Sequence, residues 1–490
     1  VVSSLHHVHP RCAALALALL GATALAGCVG YAPAPIDPAR VQTEFGARSL
    51  EDPDLVAFAR SSLPEGVRFP PPSWDLDSLT VVALHDHHDV ALAEAELESV
   101  EAGTITASAR PNPTLVLDPQ YVANAGGGLQ SWVLGALVDV KIETAGKRDL
   151  RSARAERMSD AAELGLYEAA WRVRSRLRSA LLESVILERE LVLLREEERL
   201  RRESLDLLEQ RLAQGQISRP ELAAAEIDHS QVELEIRSLE SAQRESRARL
   251  ASALGVPERA LEGRSLAWTD SQPSLVRAVL EREQADALLG RLDLRRSLAE
   301  YAVSEAELEI EIAKQYPDVS LAPGYSYDQG AHKILFGFAL PLPIFDHNEG
   351  PIAEAEARRH TAEVKFEALQ ARAIGEIEAA RARLAGAEAE LAEADSVLAR
   401  YRERERQVGR AVELGAEDRL ALSEVEIQRA VFARAELAAK RKVEAALGDL
   451  EDALQRPLMG EAAVIERARS ARGPDVNANH PDREWSIDEG

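Results

Sequence analysis

Cys28 is the residue in this chain whose type and setting point most directly to a covalent reaction. It closes the run Leu25-Ala26-Gly27-Cys28, which follows an apolar stretch at residues 13–20 and a single formal positive charge, Arg11. A charge, an apolar segment and small residues before a cysteine form the pattern of an export signal. Two chemistries fit it: cleavage before Cys28 with a lipid joined to its thiol, or an ordinary signal carrying a chance cysteine. Cys12, the only other cysteine, lies inside the signal, so a processed chain has one thiol and no internal disulfide. Loss of residues 1–27 also removes Arg11 and leaves the chain more acidic. Val29, rather than an aspartate, follows Cys28; an aspartate there would retain a lipoprotein at the inner membrane.

The run His85-Asp86-His87-His88-Asp89 has the donor types of a metal site. The same residues suit a helix start, where Asp86 or Asp89 is favoured electrostatically. The helix-start reading is adopted and no metal site is assigned. His347, between Asp346 and Asn348, falls at a strand-to-helix turn, where polar residues are expected. The sequence has no Gly-rich phosphate cradle, paired CxxC or convincing nucleophile–base pair. No catalytic chemistry is expected, and no cofactor beyond the covalent lipid on Cys28.

The elements that would position these residues come in duplicate. Arg110-Pro111-Asn112-Pro113-Thr114-Leu115 recurs loosely as Tyr316-Pro317-Asp318-Val319-Ser320-Leu321. Each run precedes two apolar strand-like segments, then a glycine, Gly146 or Gly350, opening a long helix. Each helix breaks at another glycine, Gly215 or Gly415, and a second helix returns. A repeat of this length sets the architecture: two halves, each a strand pair joined to a long helical hairpin. The composition agrees. Aromatics are 4% of 490 residues and the net charge is −25, which suits long solvated helices and disfavours a nucleic-acid partner.

In the first half the strands are expected near 114–121 and 131–143, with Gly126-Gly127-Gly128 between them. Val138, Val140 and Ile142 alternate with Asp139, Lys141 and Glu143. In the second half Ile334, Phe336, Phe338, Leu340, Leu342 and Ile344 alternate with Lys333, Leu335, Gly337, Ala339, Pro341 and Pro343. Such runs have the length and the apolar face of strands that cross a bilayer, with Tyr121, Trp132, Tyr325 and Tyr327 at its interfaces. A half-buried strand of a soluble sheet is the other reading. Pro341 and Pro343 cannot donate to a ladder, so this run must end irregularly. Four strands cannot close a barrel, and open edges are not tolerated in lipid; strands that cross a membrane must therefore be shared among several chains.

From 147 to 214 there is no proline. Leu166, Val173, Ala180, Leu187 and Leu194 keep a seven-residue period, with Ala170, Leu177, Ser184 and Leu191 between them. This spacing buries a narrow seam against a neighbouring helix. A second rod, 350–412, has an Ala-rich face that permits close packing.

Several of these pieces together resemble the TolC-like outer-membrane efflux family, in its CzcC/CusC-like lipoprotein branch. They are Arg110-Pro111-Asn112-Pro113, Glu143-Thr144-Ala145-Gly146-Lys147-Arg148, Gln315-Tyr316-Pro317-Asp318, Leu340-Pro341-Leu342-Pro343-Ile344-Phe345 and Asn348-Glu349-Gly350-Pro351-Ile352-Ala353-Glu354-Ala355. The resemblance spans about residues 79–457. It implies a mainly α fold with transmembrane β: a trimeric 12-stranded β-barrel, four strands from each chain, continued by a periplasmic α-helical coiled-coil tunnel. It implies a homotrimer, outer-membrane lipid around the barrel, a periplasmic adaptor at the tunnel tip, and an inner-membrane pump, of the RND type by branch. The protein would be a passive exit duct for small solutes, heavy-metal cations first, lipid-anchored at the outer membrane with its tunnel in the periplasm.

On the same resemblance, Gln214, Gly215, Ile217, Ser218, Leu414, Gly415 and Ala416 form the hairpin tips that dock the adaptor. Glu221, Glu417, Asp418 and Glu424 become an acidic entrance, or else solvated helix-surface acids. The family's gate tyrosine and arginine fall on Val412 and Glu417, and Ala421 replaces an expected acid, so a gate of that design is not expected. The domains read as a signal peptide (1–27), an extended tether (28–78), repeat 1 (79–256), a linker (257–277), repeat 2 (278–458) and a polar tail (459–490). Two other functions share some of these features: the outer-membrane component of a type I secretion system, and a non-pore periplasmic coiled-coil lipoprotein or adaptor.

Overall fold

The computed structural model describes residues 31–64, 66–123, 131–270 and 286–458. Two compact units are divided between Ala47 and Arg48. In the first, α1 (Pro38–Ala47) starts at Asp37, whose carboxylate accepts from the amides of Ala39 and Arg40 at 3.0 and 3.3 Å. All other elements belong to the second unit.

That unit begins with α2 (Pro53–Ser62) and α3 (Leu76–Asp86). Repeat 1 follows as α4 (His88–Ser108), β1 (Thr114–Tyr121), β2 (Trp132–Ile142), α5 (Lys147–Ala213) and α6 (Arg219–Leu254). Repeat 2 runs in the same order: α7 (Leu292–Ala313), β3 (Val319–Asp328), β4 (Ala331–Ala339), α8 (Glu349–Glu413) and α9 (Arg419–Leu454). The duplication extends to element lengths. The long helices have 67 and 65 residues, and the returning helices have 36 each. At 1.5 Å per residue the long helices run about 100 Å.

The heptad seam is where the spacing places it. Val173, Leu177, Leu187, Leu191 and Leu194 are buried. With Leu181 and Val185, the first of these pack into a core that also takes Leu79, Val82, Leu250 and Leu254. In repeat 2 the seam of α8 is rich in small residues: Ala380 and Ala387, with Leu384, pack against Val443, Leu447 and Leu450 of α9. The halves join along α5 and α9. Arg174 and Glu451, exposed by 4% and 6%, pair at 3.1 Å, and Arg178 donates to the Glu444 carbonyl at 2.7 Å. An ion pair this buried must be matched closely, since one partner alone would leave an uncompensated charge.

Four expectations need correction. The tether is not extended throughout: α1 and α2 lie within it, and Leu55, Phe58, Ala59 and Leu63 are core residues. Both helices open on Asp-Pro, and proline at the first helical position begins a helix rather than preventing one. The helix start expected at Asp86 or Asp89 is set instead by His87, whose extended φ of −78° and ψ of 127° separate α3 from α4. The second long helix opens at Glu349; the left-handed residue at its start is Asn348, with φ 63°, and Gly350 sits inside the first turn. The linker is partly structured. Ala260 and Leu261 are buried, and the Trp74 amide donates to the Ser265 carbonyl at 2.8 Å.

Candidate functional site

The four strands form one antiparallel sheet in the order β1-β2-β3-β4, so the two repeats join through β2 and β3. Register assigns every side chain to a face. Leu115, Leu117 and Pro119 of β1 lie opposite Val138, Ala136 and Leu134 of β2. Leu321, Pro323 and Tyr325 of β3 lie opposite Phe338, Phe336 and Ile334 of β4. One face is therefore almost wholly apolar, and Phe336 is 85% exposed on it. The other carries Asp118, Asp139, Lys141, Ser320, Ser326 and Lys333, interspersed with glycines. That second face is the tighter one: a Cβ at Gly324 would lie 2.7 Å from that of Leu137, its cross-strand partner. Small residues there let the strands close up.

The four aromatics expected at interfaces gather at one end, by the hairpin turns. Tyr121 and Trp132 pair edge-to-face at 5.1 Å, and Tyr327 lies 5.2 Å from His332, which also bonds to the Tyr325 hydroxyl. The Gly-rich turn between β1 and β2 lies outside the described residues. β4 ends at Ala339, so Pro341 and Pro343 fall beyond it. Pro323, which has no N–H to donate, lies where the β2–β3 ladder lapses opposite Val138 and Asp139. β1 and β4 are edges, each paired on one side only. Among the described residues no helix is long and apolar enough to cross a membrane.

At the other end of the sheet the strands turn into helices. Lys147, the buried first residue of α5, donates to the Tyr316 carbonyl at 2.5 Å and to Asp318 at 2.6 Å. Lys141 reaches the other oxygen of Asp318 at 3.1 Å, and the Thr144 amide donates to the first at 3.2 Å. Burial works against ionising Asp318, but the bonds from Lys147, Thr144 and Lys141 outweigh it and hold the carboxyl below its usual range. Two sequence pieces 170 residues apart, around Gly146 and around Pro317, thus meet in one junction. Repeat 2 uses a different bond there: the Asn348 amide group donates to the Glu311 carbonyl at 2.7 Å.

The hairpin tips are near copies. Each long helix ends with a left-handed glycine, Gly215 at φ 66° and Gly415 at φ 72°. The amides of Gln216 and Ala416 reach back to Arg211 and Ala411 at 2.9 and 2.8 Å, closing the last turns. Ser218 and Asp418 then cap the returning helices. Gln214, Gly215, Ser218, Leu414, Gly415 and Ala416 are exposed, and Ile217 is half-buried. The acids differ in what they do. Glu221 turns back on Ser218, accepting from its amide at 2.7 Å and its hydroxyl at 3.0 Å, and these bonds lower its pKa. Asp418 accepts from the Ala421 amide at 2.9 Å and pairs with Arg211 of the other hairpin at 2.6 Å. Glu417 and Glu424 are exposed.

Residues 79–256 match the family model described as outer membrane efflux protein. Over that stretch the chain is similar to the outer membrane efflux protein family. A relative in Cupriavidus metallidurans, the cobalt-zinc-cadmium resistance protein CzcC, is 26% identical over 287 residues, which are 57% of this chain and 65%, less than two thirds, of that protein. Among solved structures, the outer membrane protein VceC of Vibrio cholerae superposes with a TM-score of 0.63 at 19% identity, covering 77% of this chain and 95% of VceC. CusC superposes with a TM-score of 0.61 at 17% identity, covering 87% and 99%. These structures share the fold of this chain: a small antiparallel sheet and long helical hairpins.

Of the other residues singled out from the sequence, Cys28 lies outside those described. In the histidine run, His85 bonds to Asp86 at 2.9 Å, while the His87 ring accepts from the Asp89 amide at 3.0 Å and so caps α4. The helix-start reading holds, with His87 rather than an aspartate as the cap. Burial lowers the His87 pKa, which keeps the ring neutral and able to accept. Sequence reasoning missed Arg211, whose partner is 207 residues away. It also missed Glu198, His229 and Glu233, which meet between α5 and α6; the four-residue spacing of His229 and Glu233 was the available signal.

Proposed function

We propose that this protein is the outer-membrane exit duct of a tripartite pump. The observation that carries the reading is the sheet, with one continuous apolar face and two unpaired edges. β1 and β4 run in opposite directions, so β1 of one copy can pair antiparallel with β4 of the next. Three copies close twelve strands with the apolar face toward outer-membrane lipid and the polar, Gly-rich face toward a water-filled lumen. The long hairpins then reach into the periplasm. Their exposed tips, around Gly215 and Gly415, meet a periplasmic adaptor, and an inner-membrane pump of the RND type supplies the energy. A lipid on Cys28 adds a second attachment to the membrane. Likeness to the cobalt-zinc-cadmium resistance protein supports metal cations as the cargo.

Glu221, Glu417, Asp418 and Glu424, three copies of each, give the tunnel mouth an acidic field that gathers cations. Planar-bilayer recording tests both statements. The inserted protein conducts, with a preference for cations that Glu221→Gln/Glu424→Gln lowers, most visibly at low salt. Gln retains an acceptor for the Ser218 amide, so the pair removes charge without removing the cap. Absence of any conductance from correctly inserted protein would overturn the duct, whereas unchanged selectivity would remove only the acidic entrance.

A further inference from the structure

On the tip side of the first hairpin, three side chains of metal-binding type converge. His229 and Glu233 stand one turn apart on α6, on the same side of the helix. Glu198 faces them from α5. One ligand atom from each lies within 4.8 Å of the others, and His229 Nε2 is 3.0 Å from Glu198 Oε1. We propose that Glu198, His229 and Glu233 bind one divalent transition-metal ion of the zinc class, which clips α5 to α6.

The chemistry of the donors selects the class. Zinc, with ligand bonds of about 2.0–2.2 Å to imidazole nitrogen and carboxylate oxygen, takes three protein ligands and keeps a fourth position for water. Mixed imidazole and carboxylate donors suit zinc, cobalt and nickel. Calcium requires six to eight oxygens, and magnesium a near-ideal octahedron, which one imidazole and two carboxylates do not supply. A shift of about an ångström in each long side chain brings the three atoms to the spacing those bond lengths need.

The surroundings permit this. The side chains of Glu198 and His229 are each 14% exposed, sheltered yet within reach of solvent. Arg202, one turn beyond on α5, also bonds to Glu198 Oε1, but its side chain is 62% exposed and free to swing out. The neighbouring Arg201 is engaged by Glu197 at 2.9 Å and Asp228 at 3.6 Å, and Arg195 by Glu240 at 2.9 Å. Two carboxylates and an imidazole would therefore face a dication, with the Arg202 side chain to displace. The site does not depend on what the duct carries, because it rests on the hairpin alone.

The test is zinc titration calorimetry on the full-length protein in detergent, with any histidine tag removed, repeated with cobalt and visible absorption. One ion per chain is expected at this site. His229→Ala and Glu233→Gln should each weaken it by at least about 10-fold, the lower bound seen when even a residue that only supports a ligand is changed. Glu233→Gln is the milder change and keeps the test informative if His229→Ala fails to fold. His360→Ala, an exposed histidine on α8 beside Glu363, should leave binding as it was. A wild type that takes up less than one zinc per chain would overturn the site. So would affinity unchanged in both His229→Ala and Glu233→Gln, since the histidine would then be only a hydrogen-bond partner of Glu198.

Discussion

Asp418 performs two tasks with one carboxylate: it caps α9 through the Ala421 amide, and it ties repeat 2 to repeat 1 through Arg211. The tasks separate by substitution. Asp418→Asn keeps the cap and loses the ion pair; Asp418→Ala loses both. A cap is worth about 1 kcal/mol, while a half-exposed pair contributes less than about 1 kcal/mol. Hydrogen exchange at residues 419–422 should therefore quicken several-fold in Asp418→Ala and little in Asp418→Asn. Equal effects would show that the cap does not hold the tip. The cap bond and Arg211 set the Asp418 pKa below its ordinary 3.8. Its contribution is present above that value and is lost as pH falls through the lower folded one.

His87 titrates in the opposite functional range. Burial lowers its pKa from the ordinary 6.5. The unfolded segment then takes up the proton first, and its stability falls as pH drops below 6.5. A protonated ring also cannot accept from the Asp89 amide. Exchange at the first turn of α4, corrected for intrinsic rates, should be faster at pH 5.5 than at pH 7.5. His87→Asn retains a capping acceptor and should remove that difference; a difference that persists in His87→Asn would assign it elsewhere. Little of this residue-scale detail was legible in the sequence. The histidine run signalled a helix start, but which residue caps it depends on backbone conformation. Arg211 and Asp418 are joined only by folding of the two hairpins.

At the scale of elements, the sequence was informative wherever a period was unbroken. The seam of α5 stands in the structure as the spacing implies, because burial on one side imposes a regular pattern, and the alternation of the fourth strand holds as far as Ala339. The reading failed where one residue type serves two purposes. Pro53 begins a helix in a segment whose prolines suggested an extended chain. Asn348 takes the left-handed position that neighbouring Gly350 seemed to offer, and its side chain is used as well, on Glu311. The two faces of the sheet yield a direct test. Phe336→Lys puts a charge at mid-strand on the apolar face, which costs about 2–4 kcal/mol at a bilayer midplane. Ser326→Lys puts the same charge on the polar face and should cost far less. Assembly into heat-resistant oligomers on gels should fall for Phe336→Lys and persist for Ser326→Lys. Equal tolerance would mean that the apolar face does not meet lipid.

At the scale of the whole molecule, hydrogen bonding would decide the assembly of the proposed duct. β1 and β4 each leave a row of backbone amides and carbonyls without partners, and lipid supplies none. Packing in α5 through α9 satisfies the helices within one chain, but no rearrangement of four strands closes a barrel of this kind. The family resemblance supplied the number three; the open edges supply the need for copies. Native mass spectrometry of the detergent-solubilised protein tests this most directly. A complex of three chains that depends on detergent is expected. A monodisperse monomer, soluble without detergent and retaining its sheet, would contradict it.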